Sequence, residues 1–172
     1  MPKRKRKQYS RPKNPYNKVR IKEEAEIIKK YGLKNKKEIW KADTAIGKIR
    51  KQAKKLITAN EEKKQTFLAK LKKIGFKVND IAEVLSLKKE DWLTRRLQTV
   101  IFNLGLATTP KQARQFITHK LISVNGKTMN IPSYMVKFGE EKEISLDKSI
   151  KIAKKKEKKV EGEKDEEWRG PD

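Results

Sequence analysis

The chain has 172 residues, enough for one domain, or a small domain with a smaller companion, plus tails, and it cannot be a large multi-domain enzyme. With 46 Lys and Arg against 22 Asp and Glu, its net charge of +24 calls for an acidic partner: a phosphate backbone first, an anionic membrane surface as the rival. The absence of cysteine excludes disulfides, thiolate nucleophiles and Cys-based zinc sites, and a single histidine, His119, excludes a two-His metal site.

Charge is concentrated at the start, with 21 basic and 5 acidic residues in the first 60. Lys3, Arg4, Lys5, Arg6 and Lys7, followed by Tyr9, Arg11, Pro12, Pro15 and Tyr16, cannot bury a core, so residues 1–20 read as an extended basic arm. Such an arm either lays cations on phosphates and tyrosines on bases, or is a solvated tail or localisation signal. A helix is predicted over 21–31, with apolar positions Ile21, Ala25 and Ile28, ended by Gly32. Asn35 with Glu38 resembles a capping box and opens a helix whose apolar stripe is Ile39, Ala42, Ile46, Ile49, Ala53 and Leu56. Its other faces carry a cationic ridge of Lys41, Lys48, Arg50, Lys51, Lys54 and Lys55, with no acid between Asp43 and Glu61 to neutralise it. The ridge is read as a phosphate contact rather than as a merely solvated face. Asn60 caps a further helix through Phe67, Leu68 and Leu71 to Gly75, and Asp80 to Leu85 reads as a short helix or turn.

One helix is predicted from Lys88 to Leu104, with Leu93, Leu97, Val100, Ile101 and Leu104 inward and Arg95, Arg96, Thr99 and Asn103 outward. Thr109 is the expected N-cap and Pro110 the first residue of the next helix, which turns Ala113, Phe116 and Ile117 inward and Lys111, Arg114, Gln115 and Thr118 outward. Gln112 and His119 flank that face, and together the two helices expose donors suited to phosphates and 2′-hydroxyls. Ile122 to Val124, Asn125-Gly126 and Lys127 to Asn130 form a predicted hairpin. Met135, Val136 and Phe138 look strand-like, residues 139–142 turn, and Glu143 to Leu146 return. The fold class is therefore α+β. A basic arm (1–20) and a helical domain (21–92) precede two helices on a short antiparallel sheet (93–150), and a charged tail follows (151–172) in which Trp168 is either an anchor or exposed.

No catalytic constellation accompanies these elements. Gly126-Lys127-Thr128 lacks the first glycine of a phosphate-binding loop, since Leu121 stands there, and the segment is a hairpin. His119 at a helix end suits a cap or an RNA contact, and Glu140, Glu141 and Glu143 have no companion apolar pocket. No apolar run reaches the roughly 18 residues of a membrane span and the start has no signal-peptide segment, so the expectation is a soluble protein that stays where it is made.

The motifs Arg95-Arg96-Leu97-Gln98, Gly105-Leu106-Ala107, Lys111-Gln112-Ala113-Arg114-Gln115, His119-Lys120-Leu121-Ile122 and Val124-Asn125-Gly126 closely resemble the RNA-binding module of the small-subunit ribosomal protein S-four family. That module also occurs in pseudouridine synthases, tyrosyl-tRNA synthetases and a small heat-shock RNA-binding protein, and Ile131-Pro132-Ser133-Tyr134 narrows the likeness to the ribosomal member. Lys36-Lys37-Glu38-Ile39-Trp40 and the basic helix after it resemble the archaeal and eukaryotic branch, extending the likeness over residues 5–150. The resemblance implies a non-catalytic protein that binds small-subunit rRNA at a multi-helix junction of the 5′ domain early in assembly. It implies ribosomal proteins S-three and S-five as neighbours, mRNA nearby where message enters, an influence on decoding accuracy, and a ribosome-bound, cytoplasmic location. It implies no small-molecule substrate, cofactor or membrane partner. The zinc knob of many bacterial relatives needs cysteines that this chain lacks. Carried over, Arg95, Arg96, Lys111, Gln112, Arg114, Gln115, His119 and Asn125 match the RNA-facing pattern, and Thr109 and Lys120 beside them complete the candidate set. The rivals are an RNA-modifying or aminoacylating enzyme, for which the chain has no room, and a stand-alone basic nucleic-acid-binding protein with a borrowed module, either an RNA chaperone or a chromatin-type architectural protein, the latter binding duplex DNA equally well.

Overall fold

A computed structural model describes residues 7–146. Lys3, Arg4, Lys5 and Arg6, and the 151–172 segment with Trp168, lie outside the described residues. Helix α1 (Lys18–Tyr31) starts at Asn17, whose side chain accepts from the Arg20 N–H at 3.2 Å. It ends where Gly32 takes the left-handed conformation at φ 59°. That turn also lies against Pro110, and a Cβ added to Gly32 would stand 2.8 Å from the Pro110 Cβ. The glycine therefore serves both backbone and packing. Helix α1 does not bury the predicted stripe: Ala25 is exposed, and the inward residues are Glu24, Ile27 and Tyr31. Glu24 is only 3% exposed because it accepts from Trp40 Nε1 at 3.0 Å and pairs with Arg20 at 3.4 Å and Lys36 at 3.6 Å. A carboxylate with three partners of this kind can be buried where a lone one could not.

Helix α2 (Lys36–Leu56) buries Ile39, Ala42, Ile46 and Ala53 along the predicted three-and-four spacing. Its N-terminal half packs Ile39 and Ala42 with Ile27, Tyr31 and Leu33 of the α1 region and with Leu93. Its C-terminal half packs Ile46 and Ala53 with Phe67 and Leu71 of α3 (Glu61–Ile74) and with Ile81 and Val84 of α4 (Ile81–Ser86). Trp92 touches both clusters and joins them into one helical body. Gly75 closes α3 at φ 98° as expected, but Asn60, which stands before the helix, makes no side-chain cap. The segment read as a short helix or turn is the helix α4, and the Asp80 side chain accepts from the Ile81 N–H at its start.

The helix predicted over 88–104 is two helices. Helix α5 (Lys89–Thr94) and α6 (Leu97–Asn103) are separated by Arg95 and by an extended Arg96 at φ −72°, ψ 139°. The break is held by the segment 132–136. Arg96 bridges Met135, the Arg95 carbonyl accepts from the Val136 N–H at 3.0 Å, and Leu97 N–H donates to the Tyr134 carbonyl at 2.8 Å. Those contacts replace intrahelical bonds that an unbroken helix would have made, and they satisfy the first donors of α6. The same segment forms no strand beyond that single bridge, which corrects the strand expected at 135–138.

Helix α7 (Pro110–Thr118) begins at Thr109, whose hydroxyl accepts from the Gln112 N–H at 3.2 Å, with Pro110 as its first residue. Strands β1 (Ile122–Val124) and β2 (Lys127–Met129) pair antiparallel across Asn125-Gly126, and β3 (Ile144–Leu146) pairs antiparallel with the other edge of β1. The sheet order is β2-β1-β3. Leu97, Val100, Ile101, Ala113, Phe116, Ile117, Ile122, Val124 and Val136 form its core with α6 and α7, so the expected pair of helices on a short antiparallel sheet is present, with three strands and with α6 as the shortened first helix. Thr109→Ala is expected to cost about 1 kcal/mol, the ordinary worth of a threonine cap, read as a lower urea midpoint with an unchanged slope.

Candidate nucleic-acid interface

The helical body and the two-helix unit meet at one carboxylate. Glu38, in the first turn of α2, accepts from Arg96 Nη2 at 2.6 Å and from Arg114 Nη2 at 3.1 Å. Burial pushes the Glu38 carboxyl up, but the Arg96 charge and the Arg114 hydrogen bonds and charge outweigh it and hold the group below its usual range. Arg96 is 5% exposed, and burial lowers its pKa against the opposing pull of Glu38. The capping box read into Asn35 and Glu38 is therefore absent: Asn35 makes no side-chain cap, and Glu38 reaches across to another element.

Gln98 reinforces the joint. Its Nε2 donates within 3.0 Å to the carbonyls of Tyr31, Gly32 and Pro110, and its Oε1 accepts from Arg114 Nη1 at 3.3 Å. One buried amide thus ties the end of α1 to the start of α7. Arg114 is left half-buried, one side committed to Glu38 and Gln98 and the other opening on a groove of about 670 Å³. Lys37, Lys41 and Lys48 of α2 line that groove with Arg114, Gln8, Asn35 and Ser133. Three exposed lysines and a pre-oriented guanidinium make a cationic trough suited to a phosphodiester backbone.

The predicted site residues divide by what their side chains already hold. Lys48, Lys51, Lys54 and Lys55 are exposed on α2, and Lys111, Gln115, His119, Lys120 and Asn125 are exposed on α7 and the hairpin. Lys120 and Asn125 both adopt positive φ, at 62° and 51°. Gln112 spends its carbonyl oxygen on the Thr108 N–H at 2.9 Å, and Thr109 is a cap. Two arginines expected on an outward polar face are not there. Arg96 is buried on Glu38, and Arg95 donates to the Val136 carbonyl at 2.8 Å and pairs with Glu141. The Arg95 guanidinium lies flat where a Cβ of Gly75 would stand, so it packs the domain rather than facing solvent. Arg50, assigned to the ridge, turns inward to donate to the Leu87 carbonyl.

The arm is partly placed. Tyr9 packs on Trp40 with ring centroids 6.0 Å apart, Lys7 lies 4.8 Å over the Tyr9 ring, and Ser10 N–H donates to Thr44 at 3.2 Å. Tyr9 therefore fastens the arm to α2 while Arg11 stays exposed, and Tyr16, 91% exposed, is the aromatic left open for stacking. Sequence reasoning missed Lys37 as a groove cation, although its place one residue before Glu38 put it beside the ridge. Among the described residues no helix is long and apolar enough to cross a membrane, and no cluster of three acidic or histidine side chains forms a metal site.

Residues 95–142 match the S4 domain family. Over most of its length the chain is also similar to proteins named small ribosomal subunit protein uS4. That of Methanococcus aeolicus is 50% identical over 151 residues, which cover 84% of this chain and 85% of the relative. That of Methanosphaera stadtmanae is 42% identical over 159 residues, 89% of this chain and 87% of the relative. That of Methanothermobacter thermautotrophicus is 41% identical over 152 residues, 84% and 88%.

Proposed function

We propose, because this chain belongs to the small ribosomal subunit protein uS4 family, that it is a structural, non-catalytic component of the small ribosomal subunit in the cytoplasm that binds the subunit's RNA. The observation that carries the RNA contact is the groove in which Lys37, Lys41 and Lys48 face Arg114. Arg114 is fixed in direction by Glu38 and Gln98 before any ligand arrives, so little side-chain entropy is lost when it meets a phosphate. The exposed Lys111, Gln115, His119, Lys120 and Asn125 extend the surface beyond the groove, and Lys51, Lys54 and Lys55 extend it along α2. Arg95, Arg96 and Arg50 act instead by holding this surface in shape.

In finer terms, the RNA is a multi-helix junction in the 5′ domain, bound early so that it folds. The protein's neighbours are ribosomal proteins S-three and S-five, and it borders the path by which mRNA enters and influences decoding accuracy. The rigid joint at Glu38 supports this reading, since a protein that organises a junction must fix the angle between its two binding halves.

Binding of a small-subunit rRNA 5′-domain fragment as a function of salt tests the groove. Replacing Lys37, Lys41 and Lys48 with Ala is expected to reduce the steepness of log affinity against log salt by about 2, at roughly 0.7 for each phosphate no longer neutralised. A slope equal to that of the unsubstituted protein contradicts the groove assignment. Competition by duplex DNA as effective as that by the RNA would favour an architectural DNA-binding role.

A further inference from the structure

Phe138 is 78% exposed, and its exposure is built in. Its backbone N–H donates to the Lys73 carbonyl at 3.0 Å, which pins the residue beside the end of α3 instead of letting it turn into the core. Beside it runs a groove of about 600 Å³ with Phe76 and Val78 among its walls and Lys72 and Lys77 on its rim. Phe138, held beside these cations, offers an apolar face that a phosphodiester would have to cover without using it, whereas an aromatic ring would pack on it. The complementary ligand is an aromatic side chain flanked by carboxylates.

The chain carries such a segment. Residues 161–172 hold six acidic residues and two basic ones, and Trp168 follows directly on Glu166 and Glu167. We propose that this acidic C-terminal segment docks in the groove beside Phe138, with Trp168 on the Phe138 ring and its neighbouring carboxylates against Lys72 and Lys77. The 22 residues from Leu146 to Trp168 reach up to about 75 Å, and Glu141, only five residues before Leu146, already lines the groove. Reach is therefore ample. Attachment to the same chain supplies an effective concentration on the order of millimolar, so a single aromatic anchor with a few exposed ion pairs is sufficient. Docking also removes an acidic, RNA-repelling segment from the lysine-rich faces that carry the proposed function.

The test uses the full chain labelled with 5-fluorotryptophan, whose three ¹⁹F resonances arise from Trp40, Trp92 and Trp168, with Trp168→Phe assigning the last. The Trp168 resonance is expected away from its position in the free 161–172 peptide, and to stay there on tenfold dilution. It should move to the peptide position in Phe138→Ala and in the double variant Lys72→Glu/Lys77→Glu, while the Trp40 resonance, unmoved, reports an intact fold. A Trp168 resonance that coincides with the peptide's in the unsubstituted chain, or that both variants leave in place, would overturn the proposal. Loss of the displacement on dilution would overturn it too, by giving the groove to a second copy.

Discussion

Glu38→Ala is expected to destabilise the protein by about 3–5 kcal/mol, because it leaves the Arg96 guanidinium buried without its carboxylate. Against a total stability of roughly 5–15 kcal/mol, that loss is at least about a fifth of what holds the domain together. Urea unfolding should show it as a much lower midpoint. Arg96→Leu combined with Glu38→Ala should recover part of the loss, since the buried charge is then gone along with its partner. A Glu38→Ala change within about 0.5 kcal/mol of the unsubstituted protein, the range of an ordinary surface substitution, would show that Arg96 finds another partner. The acid limb carries a second signature. Glu38 has a lowered pKa in the folded state, so its contribution is complete above the ordinary carboxylate range and is lost as pH falls through that range to the lowered value. Glu38→Gln should therefore unfold less steeply in acid than the unsubstituted protein.

Gln98→Leu is expected to cost toward the upper end of the roughly 1–3 kcal/mol that an unsatisfied buried polar group exacts. The leucine keeps the shape but donates nothing to the carbonyls of Tyr31, Gly32 and Pro110, and it releases Arg114 from one of its two anchors. Two readouts separate packing from function. Thermal midpoint should fall, and rRNA affinity measured well below that midpoint should fall as well, because an unfixed Arg114 must be ordered on binding. Arg114→Ala should weaken binding while sparing most of the stability, since the residue is half-exposed. If Gln98→Leu lowers the midpoint but leaves affinity intact, Arg114 does not owe its direction to the amide.

Elements whose causes lie within a few residues of one another were legible in the sequence. Gly32 and Gly75 mark the ends of α1 and α3, Thr109-Pro110 opens α7, and Asn125-Gly126 turns the hairpin. The stripe from Ile39 to Ala53 follows from helical spacing alone. What escaped depends on distant partners. The apolar period runs through residues 93–104 without interruption, so nothing local announces the break at Arg95 and Arg96, which segment 132–136 imposes from some forty residues away. Once the break is there, Arg96, Gln98 and Thr99 turn inward, and an arginine read as an RNA contact becomes the ligand of Glu38. Glu38 was open to misreading for the same reason, since capping boxes are local and its real partners stand 58 and 76 residues on. Buried Glu24 likewise interrupts what hydropathy reads as the polar side of α1. Charge on α2 and on α7 was legible because exposed lysines need no partner to explain them.

The measurement that tests the central claim most directly is sedimentation of the native protein through sucrose gradients at low and at high salt, with each fraction probed for this chain. Co-migration with small ribosomal subunits that survives high salt is the predicted result, as many simultaneous RNA contacts and a buried joint between the two halves require. Migration with free protein or with chromatin at both salt concentrations would contradict it.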